Sequence, residues 1–412
     1  GEPLTMLRRL AVASVILTAA CAGQQKTGDA PAAEGQKQMT KEERLRITNQ
    51  PPFDLASCFP REQTLPSPAN EGVLVGALLS VRPDVLECLV DPANRGPAAS
   101  TKVTVKTTVN AQGGTHAVSG ENLTPAGTQC IQQVLDTHVK PSPLAADAKP
   151  VEATYAYDHA TANNPTVTMG INEGSDFSGA VRLAEKSWCE CFNGFKATTP
   201  PVLASDIHIM KGQPNPTEVV FKPSGSTEGD QLASCLQAKV AALPAKTSAE
   251  LKFPFRFVFF NSQAPVESAA SLPPELRFFQ LELARTQAAA ASAISFGART
   301  NAAETYDAVV QKYAKTKDYR LFDELSSKCN ALVESATTWV TALKTQETVD
   351  QTTLALVQEL KTKEDSWAPV ETASQEALAN TQKDLTAAQQ RLTADQGACP
   401  KKSYNNTAPK KK

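Results

Sequence analysis

The pattern of hydrophobic and polar residues repeats in two separate parts of the chain. Both parts show the same order of helical and strand-like segments. The strand-like segments repeat every two residues, whereas the helical segments place apolar residues three or four positions apart. The first copy contains a helix over 82–90, a strand over 102–109, a glycine turn at 113–114, a strand over 116–119, a helix from 124 and a strand over 150–157. This pattern predicts a small module over residues 53–160.

The same order of elements returns over residues 161–266. This second copy contains a helix over 176–192, a strand over 207–210, a turn over 212–216, a strand over 217–221, a helix over 227–243 and a strand over 251–259. Phenylalanines occupy alternate positions of the last strand, which predicts a sheet face buried beneath helices. The two copies together predict a tandem pair of small α/β sandwiches.

Helical patterns dominate after residue 266, where strand-forming residues become rare. Pro273 and Pro274 open the first helix, and Gly297 is expected to break it. Further helices are expected over 302–315, 319–344, 349–365 and 370–395. Long amphipathic helices of this kind predict an all-α bundle or hairpin domain over residues 267–400. The predicted fold class is therefore α+β, with two small sandwich modules followed by a helical domain.

The first 21 residues have the layout of a secretory signal. Two arginines precede an apolar run over 10–17, and small residues then lead to Cys21. A cysteine where cleavage is expected makes this stretch similar to a bacterial lipoprotein signal, and that resemblance implies a lipid attached to Cys21. An ordinary secretory signal cut near Ala20 is the alternative interpretation.

The charge of the chain is nearly balanced, with 41 lysines and arginines against 43 aspartates and glutamates and a net charge of −2. Such a balance gives no strong field for nucleic acid, so we expect no nucleic-acid partner. Past residue 22, no apolar run approaches the roughly 20 residues of a membrane span. The lipid is therefore the expected membrane contact. Residues 22–52 and 401–412 are expected to form a disordered tether and a basic tail.

The cysteines number nine, and an even number besides Cys21 in an exported chain indicates disulfides. In each copy, one cysteine lies on the opening helix and one on the helix after the hairpin. The separations are 42 positions for Cys88–Cys130 and 44 for Cys191–Cys235. Two helices on one sheet face can bring such cysteines within disulfide distance. Cys58–Cys189 and Cys329–Cys399 follow by elimination.

The Cys189-Glu190-Cys191 motif allows other interpretations. Its C-x-C spacing differs from the C-x₂-C spacing of common zinc sites, and no histidine lies near it in the sequence. A thiol–disulfide oxidoreductase normally places its reactive pair at a helix start, where the helix dipole lowers the thiol pKa. Because this motif falls late in the predicted helix, structural disulfides are the favoured interpretation.

Candidate catalytic residues are few. The four histidines are His116, His138, His159 and His208. None of them lies in a known catalytic motif. His208 alternates with two isoleucines, which predicts an exposed position on its strand. We therefore expect no enzyme activity, no metal and no cofactor.

A group of residues in the first copy carries a family resemblance. They are Cys88, Val103, Val105, Gly113-Gly114, Asn122-Leu123-Thr124 and Cys130-Ile131. With the order of elements, they resemble the AgmX/PglI C-terminal domain of gliding bacteria, which is itself similar to the TonB C-terminal domain. The second copy departs at its turn, which has one glycine and two prolines, and has Leu236 in place of Ile131. The resemblance covers the two modules and implies a TonB-like fold that binds through sheet edges.

The last strand of the second copy is the candidate binding edge. Pro254 lies within it, and proline is mostly confined to edge strands because it has no N–H to donate. Lys252, Arg256 and Val258 are expected on its outer face. An exposed edge can accept a partner strand by β-augmentation. The competing interpretation is that the phenylalanines simply pack beneath two helices.

These features together predict a non-catalytic lipoprotein of the bacterial envelope, at the outer membrane on its periplasmic or surface side. Its expected partners are the membrane, through the lipid on Cys21, and other envelope proteins. The alternatives are a thiol–disulfide oxidoreductase that uses Cys189 and Cys191, and a periplasmic protein that binds a peptide or solute in a groove between the modules.

Overall fold

The structure is a computed structural model of the chain. It describes residues 52–59, 64–95, 100–160, 175–193, 202–245, 247–266, 270 and 272–400. The predicted signal with Cys21, the tether up to residue 51 and the basic tail over 401–412 lie outside the described residues. The described residues form two three-stranded antiparallel sheets with their helices, followed by a long helical region, which confirms the α+β class.

The first module contains three helices and one sheet. Its elements are α1 (Glu71–Ser80), α2 (Arg82–Cys88), β1 (Ser100–Asn110), β2 (Gly113–Glu121), α3 (Pro125–His138) and β3 (Val151–Ala160). The strand order is β2-β1-β3, and Val105 of the central strand lies opposite both Val118 and Tyr155. The side chain of Thr124 caps α3 by accepting the N–H of Gly127 at 3.1 Å.

Helix α1 was missing from the sequence prediction. Every residue of this helix after Glu71 is buried, so its sequence carries no amphipathic period that would identify a helix. It lies between the first sheet and the helical region, where its side chains join the core of the module. A short apolar run of this kind cannot be assigned to a helix or a strand from periodicity alone.

The second module repeats this topology. Its elements are α4 (Ser175–Ala184), α5 (Cys189–Phe192), β4 (Val202–Ile209), β5 (Glu218–Phe221), α6 (Thr227–Ala241) and β6 (Leu251–Val258). The strand order is β5-β4-β6, and Ile207 lies opposite both Val219 and Phe253. The predicted helix over 176–192 is divided, because a 3-10 turn over 185–188 separates α4 from α5.

Aromatic side chains fill the core of the second module. Phe177 of α4 packs edge-to-face on Phe253 and Phe255 of β6, with ring centroids 5.6 and 5.0 Å apart. Phe192 packs in the same way on Phe259. The phenylalanine stripe therefore covers the inner face of the sheet beneath its helices, as its alternation predicts.

The helical region consists of three long helices, α7 (Pro274–Thr316), α8 (Phe322–Lys363) and α9 (Ala368–Ala398). The predicted break at Gly297 is wrong, because α7 continues through it. A Cβ atom at position 297 would lie 2.6 Å from Cγ2 of Val73, so the glycine permits α1 to approach closely. The predicted gap between 344 and 349 is also wrong, since α8 runs through it without interruption.

The second module is attached to the base of α7. The buried side-chain amide of Gln280 accepts the N–H of Asn261 at 3.1 Å and donates to the carbonyl of the same residue at 2.7 Å. Phe260, Leu272 and Leu283 form an apolar cluster beside this pair. Among the residues that the structure describes, no helix combines the length and the apolar character needed to cross a membrane.

Candidate functional site

The structure joins the eight described cysteines into four disulfides. Cys88–Cys130 links α2 to α3, and Cys191–Cys235 links α5 to α6 at the equivalent place in the second module. Cys58–Cys189 connects the N-terminal lead-in to the second module, and Cys329–Cys399 connects α8 to the end of α9. These are the pairs that the sequence predicts. Each one ties two separate elements together and restricts their relative motion.

The C-x-C motif does not lie late in a helix, as the sequence analysis expected. Cys189 instead opens the one-turn helix α5, directly after the 3-10 turn. Cys189 and Cys191 bond to partners on different elements, so neither is paired with the other. Within the described ranges, no group of three or more metal-binding side chains is placed to hold an ion.

The histidines take part in local contacts. His116 contacts Thr107 through Nδ1 at 2.9 Å and the Val139 carbonyl through Nε2 at 3.1 Å, and burial lowers its pKa. His208 lies on the outer face of β4, where Nε2 is 2.8 Å from Oε1 of Glu250. His138 lies in the last turn of α3, where a cation is favoured by the helix dipole.

Strand β6 lies at the edge of the second sheet, with β4 as its neighbour on one side. Lys252 and Arg256 are exposed on its outer face. Val258, in contrast, is only half-exposed, because it packs against the apolar cluster at the base of α7. The accessible part of the predicted binding edge is therefore the segment from Lys252 to Arg256.

The outward main-chain groups of β6 can be assigned from one contact. The hydroxyl of Ser205 donates to the carbonyl of Phe255 at 3.2 Å. The main-chain N–H and C=O of Phe255 therefore point toward β4. Because neighbouring residues of a strand point their main-chain groups in opposite directions, Pro254 and Arg256 face away from β4. Arg256 offers an N–H there, whereas Pro254 offers only its carbonyl.

The open face of the second sheet carries separate exposed apolar side chains. Val202 and Val220 are 40% and 46% exposed, and Met210 is exposed at the end of β4. The corresponding face of the first sheet carries lysines and threonines, such as Lys106 and Thr108. Val202 lies outside the strand predicted over 207–210, since β4 begins five residues earlier, at Val202. Single exposed aliphatic side chains are ordinary on a protein surface, so the strand edge itself is the stronger candidate for binding.

The peptide- or solute-binding alternative placed a groove between the modules, whereas one groove that the structure describes lies on the outer side of α3. It is open to solvent, and its lining combines Leu123 and Pro125 with amide and charged side chains such as Gln129, Asp136 and Lys140. Ligand pockets usually combine concave apolar walls with a few polar groups. This groove is open and is lined mainly by polar side chains, so it differs from a typical ligand pocket.

The β6 edge is therefore the best candidate site. It places outward main-chain groups and two cations along one edge of the second sheet. No protein-family model, no curated protein and no solved structure matches this chain.

Proposed function

We propose that the protein is a lipid-anchored component of the bacterial envelope that binds another protein and turns over no substrate. The observation that carries this proposal is the accessible β6 edge between Lys252 and Arg256. A partner strand could pair with the edge through main-chain hydrogen bonds, while its side chains contact Lys252 and Arg256 on the neighbouring strand.

Two further features support an interaction role. The two modules share one strand order, which is consistent with the resemblance to the AgmX/PglI and TonB C-terminal domains. The disulfides and the long helices provide a rigid support for surfaces that bind other proteins. Preorganised surfaces of this kind lose less conformational entropy on binding.

Substitutions at Arg256 test the edge. Arg256→Pro removes one outward N–H, so it should weaken capture of the partner, measured by crosslinking in cells and pull-down, more than Arg256→Ala does. Equal losses would assign the effect to side-chain charge. No loss from either, with an intact circular dichroism spectrum, would place the binding surface elsewhere.

Val220→Asp provides a control for the position of the site. Val220 is 46% exposed on β5, at the edge of the second sheet opposite β6. A charge there should leave partner capture unchanged if the partner pairs with β6. Loss of capture in Val220→Asp would instead assign the binding surface to β5 or to the open face of the sheet.

The lipid anchor is tested separately. Cys21→Ser should release the protein from the membrane fraction, and unchanged partitioning into detergent would contradict lipidation. The oxidoreductase alternative is tested by thiol counting, since a rapidly alkylated pair at Cys189 and Cys191 would favour it. Small molecules that co-purify with the chain would favour the solute-binding alternative.

A further inference from the structure

A buried ion pair joins the two modules. The guanidinium of Arg182, on α4 of the second module, contacts the carboxylate of Glu87, on α2 of the first, through Nη2–Oε2 at 2.6 Å and Nη1–Oε1 at 3.1 Å. Their side chains are only 9% and 8% exposed. Two parallel hydrogen bonds of this kind fix both the distance and the orientation of the partners.

A second carboxylate shares this guanidinium. Oε2 of Glu185 lies 3.6 Å from Nη1 of Arg182, and the Glu185 side chain is also largely buried. Burial raises the pKa of Glu185 to about 8; the charge of Glu87 acts in the same direction, and Arg182 opposes both. We call Glu87, Arg182 and Glu185 the junction cluster.

The groups around the junction cluster include a buried histidine. His159, near the end of β3, is surrounded by the cations Arg95, Arg182 and Arg82. Burial is the main cause that lowers the pKa of His159 to about 4, and these three cations act in the same direction, so the imidazole is neutral near neutral pH. Three different elements, α2, β3 and α4, therefore contribute ionisable groups to this region.

The N-terminal lead-in belongs to the second module, because Phe53 and Leu55 lie in its core and Cys58 is bonded to Cys189. Beyond the lead-in, the two modules are built around separate cores. The apolar core of the first module and that of the second share no residue among those described. The first module is fastened to α7 through α1, and the second through Gln280 and the cluster at Phe260. The contact between the modules could therefore open while both remain attached to the helical region.

We propose that the junction cluster is a protonation-controlled latch, which holds the two modules together when Glu185 is neutral and loosens when Glu185 is ionised. With Glu185 neutral, Arg182 and Glu87 form a balanced pair. With Glu185 ionised, two buried carboxylates compete for one guanidinium, and the excess negative charge favours exposure to water.

The direction of the pH effect follows from proton uptake. The ordinary pKa of a glutamate is 4.5, and that of Glu185 in the closed junction is about 8. Between these values, closure must bind a proton, so the closed form becomes less favoured by roughly tenfold per pH unit as the pH rises. Above pH 8 the effect of Glu185 is complete.

His159 acts in the opposite direction between its ordinary pKa of 6.5 and the pKa of about 4 that it has in the closed junction. The closed junction is therefore most favoured in mildly acidic solution.

Hydrogen exchange of the full chain, with its disulfides intact, tests the latch. Exchange rates at about pH 5.5 and about pH 8.5 are corrected for intrinsic base catalysis and compared for the amides of α2 and α4, with α9 as internal reference. We expect protection of α2 and α4 to fall by at least roughly tenfold at the higher pH. In the Glu185→Gln variant, the amides of α2 and α4 should remain protected at both pH values. Glu304→Gln, an exposed change on α7, should behave as the wild type.

Three outcomes would overturn the proposal. Equal protection of the wild type at both pH values would exclude a pH-dependent junction. The same loss in Glu185→Gln would show that another group titrates. Full protection of α2 and α4 in Arg182→Met at the lower pH, with a native near-ultraviolet spectrum, would show that the cluster does not hold the modules together.

Discussion

The side-chain amide of Asn70 donates a hydrogen bond of 2.8 Å to the side-chain oxygen of Asn301, and this contact fastens the start of α1 to the middle of α7. Asn70 also caps α1 by accepting the N–H of Val73, while Asn301 donates to the carbonyl of Pro68. Each amide thus satisfies main-chain groups of its neighbours as well as the other amide. The pair orients the first module on the helical region.

Replacing Asn301 by alanine should loosen this attachment. Asn301→Ala leaves the Pro68 carbonyl without its donor and one Asn70 N–H without its acceptor, so the free energy of unfolding should fall by about 1–3 kcal/mol. Urea denaturation measures the change. Asn380→Ala, exposed on α9, is the control and should be neutral or slightly stabilising, since alanine favours a helix. Similar values for the two variants would contradict the role of Asn301.

The close approach of α1 to α7 gives a second prediction. A Cβ atom at Gly76 would lie 2.5 Å from Cγ1 of Ile294 and 2.8 Å from the Ala290 carbonyl oxygen. Gly76→Ala should therefore destabilise the protein by about 1–3 kcal/mol, despite the better helix propensity of alanine. Thermal unfolding followed by circular dichroism measures it.

The control for this change is Gly397→Ala in the last turn of α9. A Cβ atom there has no heavy atom within 4 Å, so only helix propensity changes, and the variant should be neutral or more stable. If Gly76→Ala also proved stabilising, the two helices would have to be further apart than the structure places them.

The spacing of apolar residues and cysteines was sufficient to predict the strands and disulfides that lie within one module. Strand β1 was expected over 102–109 and spans Ser100–Asn110, because period-two alternation identifies a half-buried strand. The equivalent positions of Cys88 and Cys191 in the two copies were sufficient to predict their partners. In both cases the decisive information lies within one module.

The remaining features depend on contacts between distant parts of the chain. Gly297 was expected to break a helix, since its role depends on Val73, which lies far away in the sequence. Arg182 and Glu87 are 95 positions apart, so no spacing rule connects them. The exposed position of Val202 was missed because the strand was expected to begin at residue 207, whereas β4 spans Val202–Ile209.

The disulfide between Cys329 and Cys399 should stabilise the end of the helical region. It closes a loop with a sequence separation of 70 residues, for which the chain-entropy model gives about 4 kcal/mol. The double variant Cys329→Ala/Cys399→Ala should lose stability on that scale in urea denaturation. Peptide mapping of the unreduced wild type should recover the two cysteines in one linked peptide. Linkage of either cysteine to a module cysteine would contradict this pairing.

A buried ion pair between α7 and α9 gives the last prediction. Arg299 contacts Asp395 through Nη2–Oδ1 at 2.6 Å and Nε–Oδ2 at 3.0 Å, and both side chains are largely buried. Asp395→Asn leaves the guanidinium buried without its counter-charge, so the free energy of unfolding should fall by about 3–5 kcal/mol. The exposed pair Lys363–Glu359 is the control, and Glu359→Gln should leave the unfolding midpoint unchanged.

A double variant separates the net contribution of this ion pair to the free energy of unfolding from the cost of leaving one buried charge unpaired. Arg299→Met/Asp395→Leu removes both charges and fills the space with apolar side chains, so it should recover most of the stability lost in Asp395→Asn. Full recovery would show that the pair contributes specificity of helix packing rather than net stability. If the double variant were as unstable as Asp395→Asn, the loss would come from altered packing between α7 and α9, because no unpaired charge remains.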